Sequence, residues 1–421
     1  MMQKHFFLLT TICLSLLTKA SELGAYPIDA NDYTGIKRLD YYDLAQRGEV
    51  EGRQLTSGAK LPLEQIRIRG AAIDLDTAQP DPDASQLLRG FLGKQAAQYG
   101  VALVDLSDPD QPIYAAFNDE YKANVGSVGK IIVALALYQQ LAERFPNDIA
   151  ARINLLKTKQ ITADHFIEHD SHDVRFWDVD KRKLDHRPLR LGDTASVWEF
   201  LDWTLSVSSN AAAAMVMREV IVMRHFGDEY PVSDAVASEF LEDASASELR
   251  TLMLDSLGGI VESNGLDTNH LRQASFFTRY GKNKVGGDSS YGTPKELLKL
   301  LVRMEQGKLV DEFSSQDLKR MLYMTERRIR YASHPALNDF AVYFKSGSLY
   351  SCQEEAAFTC GKYMGNKRNQ LASVAIVESP TEPQQLRYMV VVMSNVLKVN
   401  SAVAHQTLAL RIHRMIEARH E

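Results

Sequence analysis

Cysteine is scarce in this chain, with three in 421 residues, and Cys13 lies inside an N-terminal apolar run. That leaves Cys352 and Cys360. An even pair in an oxidising compartment is expected to close a short loop as a disulfide; two free thiols are the alternative, since sequence gives no distance between them. Blocks of Lys and Arg are also missing, and the net charge is −6. Both facts argue against a nucleic-acid surface, so no nucleic-acid partner is expected. Beyond the N-terminus no apolar stretch is long enough to cross a bilayer, which excludes a polytopic membrane protein. Internal repeats and low-complexity tracts are absent too.

What is present suits a large packed core: 45% hydrophobic and 24% charged residues. The length allows two or three domains, or one domain with insertions. Lys4 and His5 precede an apolar run from Phe6 to Leu17, and Thr18-Lys19-Ala20 offers small residues for cleavage after Ala20. Residues 1–20 therefore read as an export signal, and the mature chain as secreted or periplasmic without stable membrane insertion; an uncleaved anchor is the alternative. Residues 21–82 form an N-terminal extension, Tyr-rich and polar, with one strand-like segment from Gln65 to Ile73. A Pro/Asp-rich stretch, Gln79 to Ser85, reads as a linker to a main domain over residues 83–421.

Along that domain, helical spacing runs from Ser85 to Tyr99 and is expected to stop at Gly100. Strands at Val101–Leu106 and Ile113–Phe117 flank a Pro/Asp turn as a hairpin. A helix is expected from Ser127 to about Arg144, then an irregular polar stretch over 145–190. The latter carries His165, His169, His172 and His186 among several acids. Their closeness raises a metal site, but no sulfur ligand or helical register supports it, and a hydrated His-rich loop is preferred. No metal or other cofactor is expected. Helices over Thr194–Leu205 and Ala211–Val222 enclose the connection Ser206–Asn210, and 227–264 is acidic and helical. After a loop over 266–292, Thr293 and Glu296 form a capping box with Pro294 at the first helical position. That helix runs through Met304, and another covers Ser315–Met324. Strands near 340–348, Leu371–Val377 and Tyr388–Ser394 precede a closing amphipathic helix, Val403–Ile416.

Three short patterns bear on chemistry. Ser127 and Lys130 stand three residues apart at the start of an apolar helix, so their side chains share a face. A hydroxyl there lies beside free backbone N–H groups, and an amine held against it can take its proton once burial or a second cation favours the neutral form. The ordinary reading is a Ser cap with a solvated lysine. A phosphate loop fails, because Asn124 replaces the first glycine and Ile131 the magnesium-binding hydroxyl. Ser208 and Asn210 read by themselves as a helix stop and a cap. Lys345-Ser346-Gly347 ends a strand, with successive side chains on opposite faces and a glycine admitting a ligand to the backbone.

In order these are S-x-x-K, S-x-N and K-S-G, and here the chain resembles the penicillin-recognising active-site serine enzymes, the serine β-lactamases and D-alanyl-D-alanine peptidases. It looks most like the class A β-lactamases, over about residues 85–420. The resemblance implies an α/β (α+β) fold: a three-layer sandwich with one antiparallel sheet, terminal helices on one face, and an all-helical subdomain, about 127–330, on the other. It implies that Ser127 is acylated by a β-lactam or a D-alanyl peptide, with Lys130 as base. Ser208 would relay a proton to the leaving nitrogen, helped by Lys345. Asn210 would bind Lys130 or a substrate amide. Lys345, Ser346, Gly347 and Ser348 would hold the substrate carboxylate, with Lys367 or Arg368 as a second cation. The backbone N–H groups of Ser127 and Ser348 would form the oxyanion hole.

One departure matters. Class A enzymes carry a glutamate in the loop before the Thr293 helix, where it activates the deacylating water. Here Ala274 or Ser275 falls at about that position, and Glu262 nearby fits no pattern. Two substrate readings therefore stand, a β-lactamase and a D-alanyl-D-alanine carboxypeptidase or penicillin-binding protein with slow deacylation. A third is a non-catalytic penicillin-binding sensor.

Overall fold

Two strands near the middle of the sequence and three near its end build one antiparallel sheet. Its strands are β1 (Tyr99–Asp105), β2 (Ile113–Phe117), β3 (Ala341–Ser351), β4 (Arg368–Glu378) and β5 (Arg387–Asn395), in the order β2-β1-β5-β4-β3. This computed structural model describes residues 27–325, 328–380 and 386–421, so the expected signal at 1–20 lies outside the described residues.

Both faces of the sheet are covered, and strand alternation sorts the side chains. Val101, Leu103, Val390 and Val392 point to one face. They pack with Leu88 and Leu92 of helix α2 (Pro82–Leu92) and with Leu408, Ile412 and Ile416 of the terminal helix α9 (Ser401–His420). Their neighbours Ala102, Val104, Val391 and Met393 point the other way, into the helical layer. That layer contains α3 (Lys130–Arg144), α4 (Val197–Leu205), α5 (Asn210–Phe226), α6 (Ala246–Ser263), α7 (Pro294–Glu305) and α8 (Glu312–Tyr323). The three-layer antiparallel architecture expected from the sequence is the one observed.

The N-terminal segment is part of this packing. Ile36, Leu39, Ile66 and Leu75 join the same core as the helical layer. At the start of α1 (Arg38–Gln46), the buried Arg38 guanidinium makes two 2.5 Å bonds to the buried Asp202 carboxylate of α4, and a third to Met324 O at 3.1 Å. Such a fork matches a carboxylate and offsets much of the cost of burying both charges.

Several local expectations are corrected. Gln65–Ile73 is no strand: a short 3₁₀ turn, Leu63–Gln65, leads into extended chain lying against α7 and α8. There Ile68 N donates to Gln316 Oε1 and Arg69 N to Glu305 Oε2, both at 2.9 Å, so helix side chains take the bonds a sheet would. Helix α2 ends at Gly93 (φ +57°), and Gly100 lies inside β1. The stretch 145–190 is partly regular, with a helix at Ile149–Thr158 capped by Asp148 and a hairpin of Asp173–Asp178 with Lys183–Pro188. In it Val174 and Trp177 are buried, and Phe176 packs against Trp203. Thr293 caps α7 through a 3.3 Å bond from Glu296 N, but Glu296 turns its carboxylate to Asp267 N at 2.8 Å. The reciprocal capping box occurs instead at Ser196 and Glu199.

Candidate active site

Ser127 lies in a 3₁₀ turn, Gly126–Gly129, that leads directly into α3. Gly126 adopts φ +54°, and Gly347 of β3 packs against this turn. A Cβ on Gly347 would come within 2.4 Å of Ser127 N and 2.0 Å of Val125 O, so only glycine permits the approach. A Cβ on Gly126 would meet Ser348 N at 3.1 Å, which sets the Ser127 and Ser348 amides beside one another.

Lys130, one turn on and fully buried, is the hub of the side-chain contacts. Its Nζ donates to Ser127 Oγ at 3.3 Å, Asn210 Oδ1 at 2.8 Å, Ser208 O at 2.6 Å and Ser208 Oγ at 3.4 Å. From β3 the buried Lys345 reaches the same hydroxyl, with Nζ 2.7 Å from Ser208 Oγ. Ser208 therefore stands between two amines. It has φ +64°, unusual for a residue with a side chain, and this left-handed bend presents both its carbonyl and its hydroxyl to Lys130.

Ser209 caps α5 by accepting from Ala212 N at 3.1 Å, and donates at 3.0 Å to Asp170 Oδ2. Asp170 also accepts from Ala211 N at 2.8 Å and from His172 Nδ1 at 2.5 Å. Burial would raise this carboxyl, but the bonds from His172 and Ala211, with the nearby positive charges of His172 and Lys130, outweigh it and hold it at about 2.

These groups line a cleft of about 690 Å³ between the sheet edge and the helical layer. Ser127, Ser208, Asn210, Lys345, Ser346 and Ser348 all border it. The cation beside Ser346 is Arg330, whose Nη1 donates to Ser346 Oγ at 2.8 Å. Lys367 and Arg368 do not line the cleft; Arg368 pairs in register with Ser351 at the far end of β3. Arg330 precedes the strand by a loop and has φ +59°, so no spacing in the sequence marked it. Its guanidinium lies 4.8 Å from the Tyr363 ring. Tyr363 belongs to the β3–β4 connection, where Cys352 and Cys360 are disulfide-bonded with Cα atoms 6.0 Å apart.

The loop expected to lack a glutamate approaches Lys130 with an aromatic ring. Phe277 sits 4.8 Å from Lys130 Nζ, whereas Ala274 is buried and Ser275 bonds Phe276 O. The loop residue that meets the amine is thus Phe277, two or three positions beyond Ala274 and Ser275. Gly129 allows the loop this close, since a Cβ there would fall 2.1 Å from Gln273 Oε1. Glu262 accepts from Thr268 Oγ1 at 3.2 Å and does not border the cleft. Among the described residues the bordering carboxylates are Asp173 and Asp288. The histidines do not converge: His165 pairs with Glu168, His172 with Asp170, and no group of three metal-ligating side chains occurs among the described residues.

A three-layer sandwich with two lysines meeting on one serine beside a helix-start hydroxyl defines the penicillin-recognising serine hydrolases. Residues 83–398 match the family described as the beta-lactamase enzyme family, and the chain belongs to it. No curated protein matches the sequence. Among solved structures, a class A beta-lactamase from Bacteroides cellulosilyticus is 16% identical, with a TM-score of 0.52 over 81% of this chain and 100% of that one. TLA-3 extended-spectrum beta-lactamase is 14% identical, TM-score 0.52, over 80% and 99%. PBP-A is 12% identical, TM-score 0.51, over 81% and 98%. Likeness at these identities concerns the fold.

Proposed function

We propose that this protein is an exported active-site serine hydrolase that β-lactams acylate at Ser127. The observation that carries the reading is the contact set of Lys130, which joins Ser127 Oγ, Ser208 and Asn210 at 2.6–3.4 Å. In its amine form Lys130 takes the Ser127 proton as Oγ adds to the lactam carbonyl carbon. The charge on the carbonyl oxygen is met by the Ser127 and Ser348 amides. As the C–N bond breaks, the nitrogen takes the Ser208 hydroxyl proton and Ser208 Oγ takes one from the Lys130 ammonium, 3.4 Å away, while Lys345, 2.7 Å from the same oxygen, stabilises the transfer. Arg330 and Ser346, with Ser348, hold the substrate carboxylate.

The second reading, a D-alanyl-D-alanine peptidase that releases penicillin slowly, is favoured by Phe277. A ring beside Lys130 cannot activate water, so acylation stays intact while hydrolysis of the ester slows. For the export part, no helix among the described residues is long and apolar enough to cross a membrane, and the charged and apolar pattern of residues 1–20 supports cleavage after Ala20.

Nitrocefin with intact mass spectrometry over time, run beside Ser127→Ala, tests this. Sustained colour with a transient adduct supports the β-lactamase; a stable adduct with a single burst supports the peptidase. A wild-type protein that never gains mass would sink the acyl-enzyme reading, as would an adduct that survives in Ser127→Ala.

A further inference from the structure

His172 borders the cleft, and no step above uses it. Its ring is fixed. Nδ1 donates to Asp170 Oδ1 at 2.5 Å, and the same oxygen accepts from the His172 backbone N at 3.3 Å. Asp170 is itself immobilised, since its other oxygen accepts from Ser209 Oγ and Ala211 N on either side of Asn210. The carboxylate is 3% exposed and the imidazole 31%. With Nδ1 engaged inward, the opposite edge of the ring, Nε2, is the edge left for the cleft. His172 is thereby tied to the wall that carries Ser208 and Asn210, across from β3. The cleft is cationic although the chain is acidic: Lys282, Arg330, Lys345 and Lys362 border it against Asp173 and Asp288, in a protein of net charge −6.

We infer that His172 is a substrate-contacting residue, with Nε2 taking up a proton as the compound that acylates Ser127 binds and sharing it with a carboxylate on that compound's acyl arm, and that Asp170, on the Nδ1–H side, is its positioning residue. The preferred substrate class is then dianionic, with one carboxylate on the Lys345–Ser346–Arg330 side and a second on the arm beside Asn210. This rests on the Ser127 reading above. A peptide with an acidic residue in its acyl part and a β-lactam with a carboxylated side chain share this chemistry.

Carbenicillin and benzylpenicillin differ by one carboxylate on that arm, so they isolate the contact. The readout is the second-order rate constant for the Ser127 adduct, by intact mass. His172→Ala should lower it on the order of tenfold for carbenicillin and by less than about threefold for benzylpenicillin, the loss of one charge-assisted bond. Asp170→Asn should shift the ratio of the two constants in the same direction, a change that general loosening of the wall would not produce. His172→Lys, which keeps an N–H donor on that wall, should retain most of the ratio. Equal losses on both penicillins, or no loss, overturn the inference while leaving Ser127 acylation standing. Absence of any wild-type adduct overturns both. An acidic D-alanyl peptide competing with carbenicillin better than its neutral amide analogue would identify the peptide source; equal competition would identify the β-lactam source.

Discussion

Phe277 presents its ring to Lys130 at 4.8 Å. A half-buried aromatic there keeps Lys130 packed and is itself no proton acceptor. Phe277→Glu places a carboxylate near the ester carbonyl without emptying the core. The variant is expected to raise the deacylation rate of the penicilloyl enzyme by roughly 10²-fold or more, the usual contribution of a general base. Decay of the intact-mass adduct measures it; an adduct as long-lived as wild type would mean the water approaches from elsewhere.

Arg330 joins the substrate side of the cleft through Ser346 Oγ at 2.8 Å. Removing its charge in Arg330→Ala should weaken capture of the β-lactam carboxylate by about 10- to 100-fold in the acylation constant, the range for one charge-assisted hydrogen bond. Arg368→Ala, in a residue outside the cleft, should leave that constant unchanged. Acylation rates for the two variants, measured side by side, decide between the cations.

Asp317 on α8 is buried and accepts from Tyr138 Oη at 2.6 Å. Burial raises its carboxyl from 3.8 to about 6, against the lowering effects of Tyr138 and Arg320. Below pH 4 the group is neutral in both folded and unfolded chains and costs nothing. Between pH 4 and 6 the unfolded chain gives up the proton while the folded chain keeps it, so stability falls as pH rises, by about 3 kcal/mol across the window. Asp317→Asn has no such titration. Its stability relative to wild type should therefore improve by about that amount between pH 4 and pH 7. Urea unfolding at both values is the measurement, and a constant difference would show that Asp317 titrates normally.

Arg38 and Asp202 form a buried pair, 1% and 0% exposed. Arg38→Ala leaves Asp202 without its guanidinium, at an expected cost of about 3–5 kcal/mol. Replacing both residues by apolar ones of similar volume should recover most of it. Denaturant midpoints of the single and double variants test the pair.

How legible was all this in the sequence? The order of the three motifs and the apolar runs of β1, β4 and β5 pointed to the sheet and to the residues that meet in the cleft, because both signals are local. Arg330 and Phe277 were missed for a common reason: each reaches the site from a loop whose path is set by contacts far along the chain. Nothing near Arg330 announces that Tyr363 and Ser346 will flank it. Asp170 looked like one acid among many in a polar stretch, and only the fold shows it bonded to the cap of α5. The extended segment after Gln65 carried strand-like composition, yet its partners are helix side chains, which no two-residue period encodes.

The Arg38 clamp also imposes an order in time. A chain is made from its N-terminus, so Arg38 emerges 164 residues ahead of Asp202 and 286 ahead of Met324, whose carbonyl it also binds. Gly58 N similarly donates at 2.9 Å to Asn338 O. This early segment is thus among the last to find its place, and the sheet cannot close until β3, β4 and β5 arrive. A truncated chain ending before β3 would hold Ser127, Lys130 and Ser208 in sequence and still lack the wall that makes them a site.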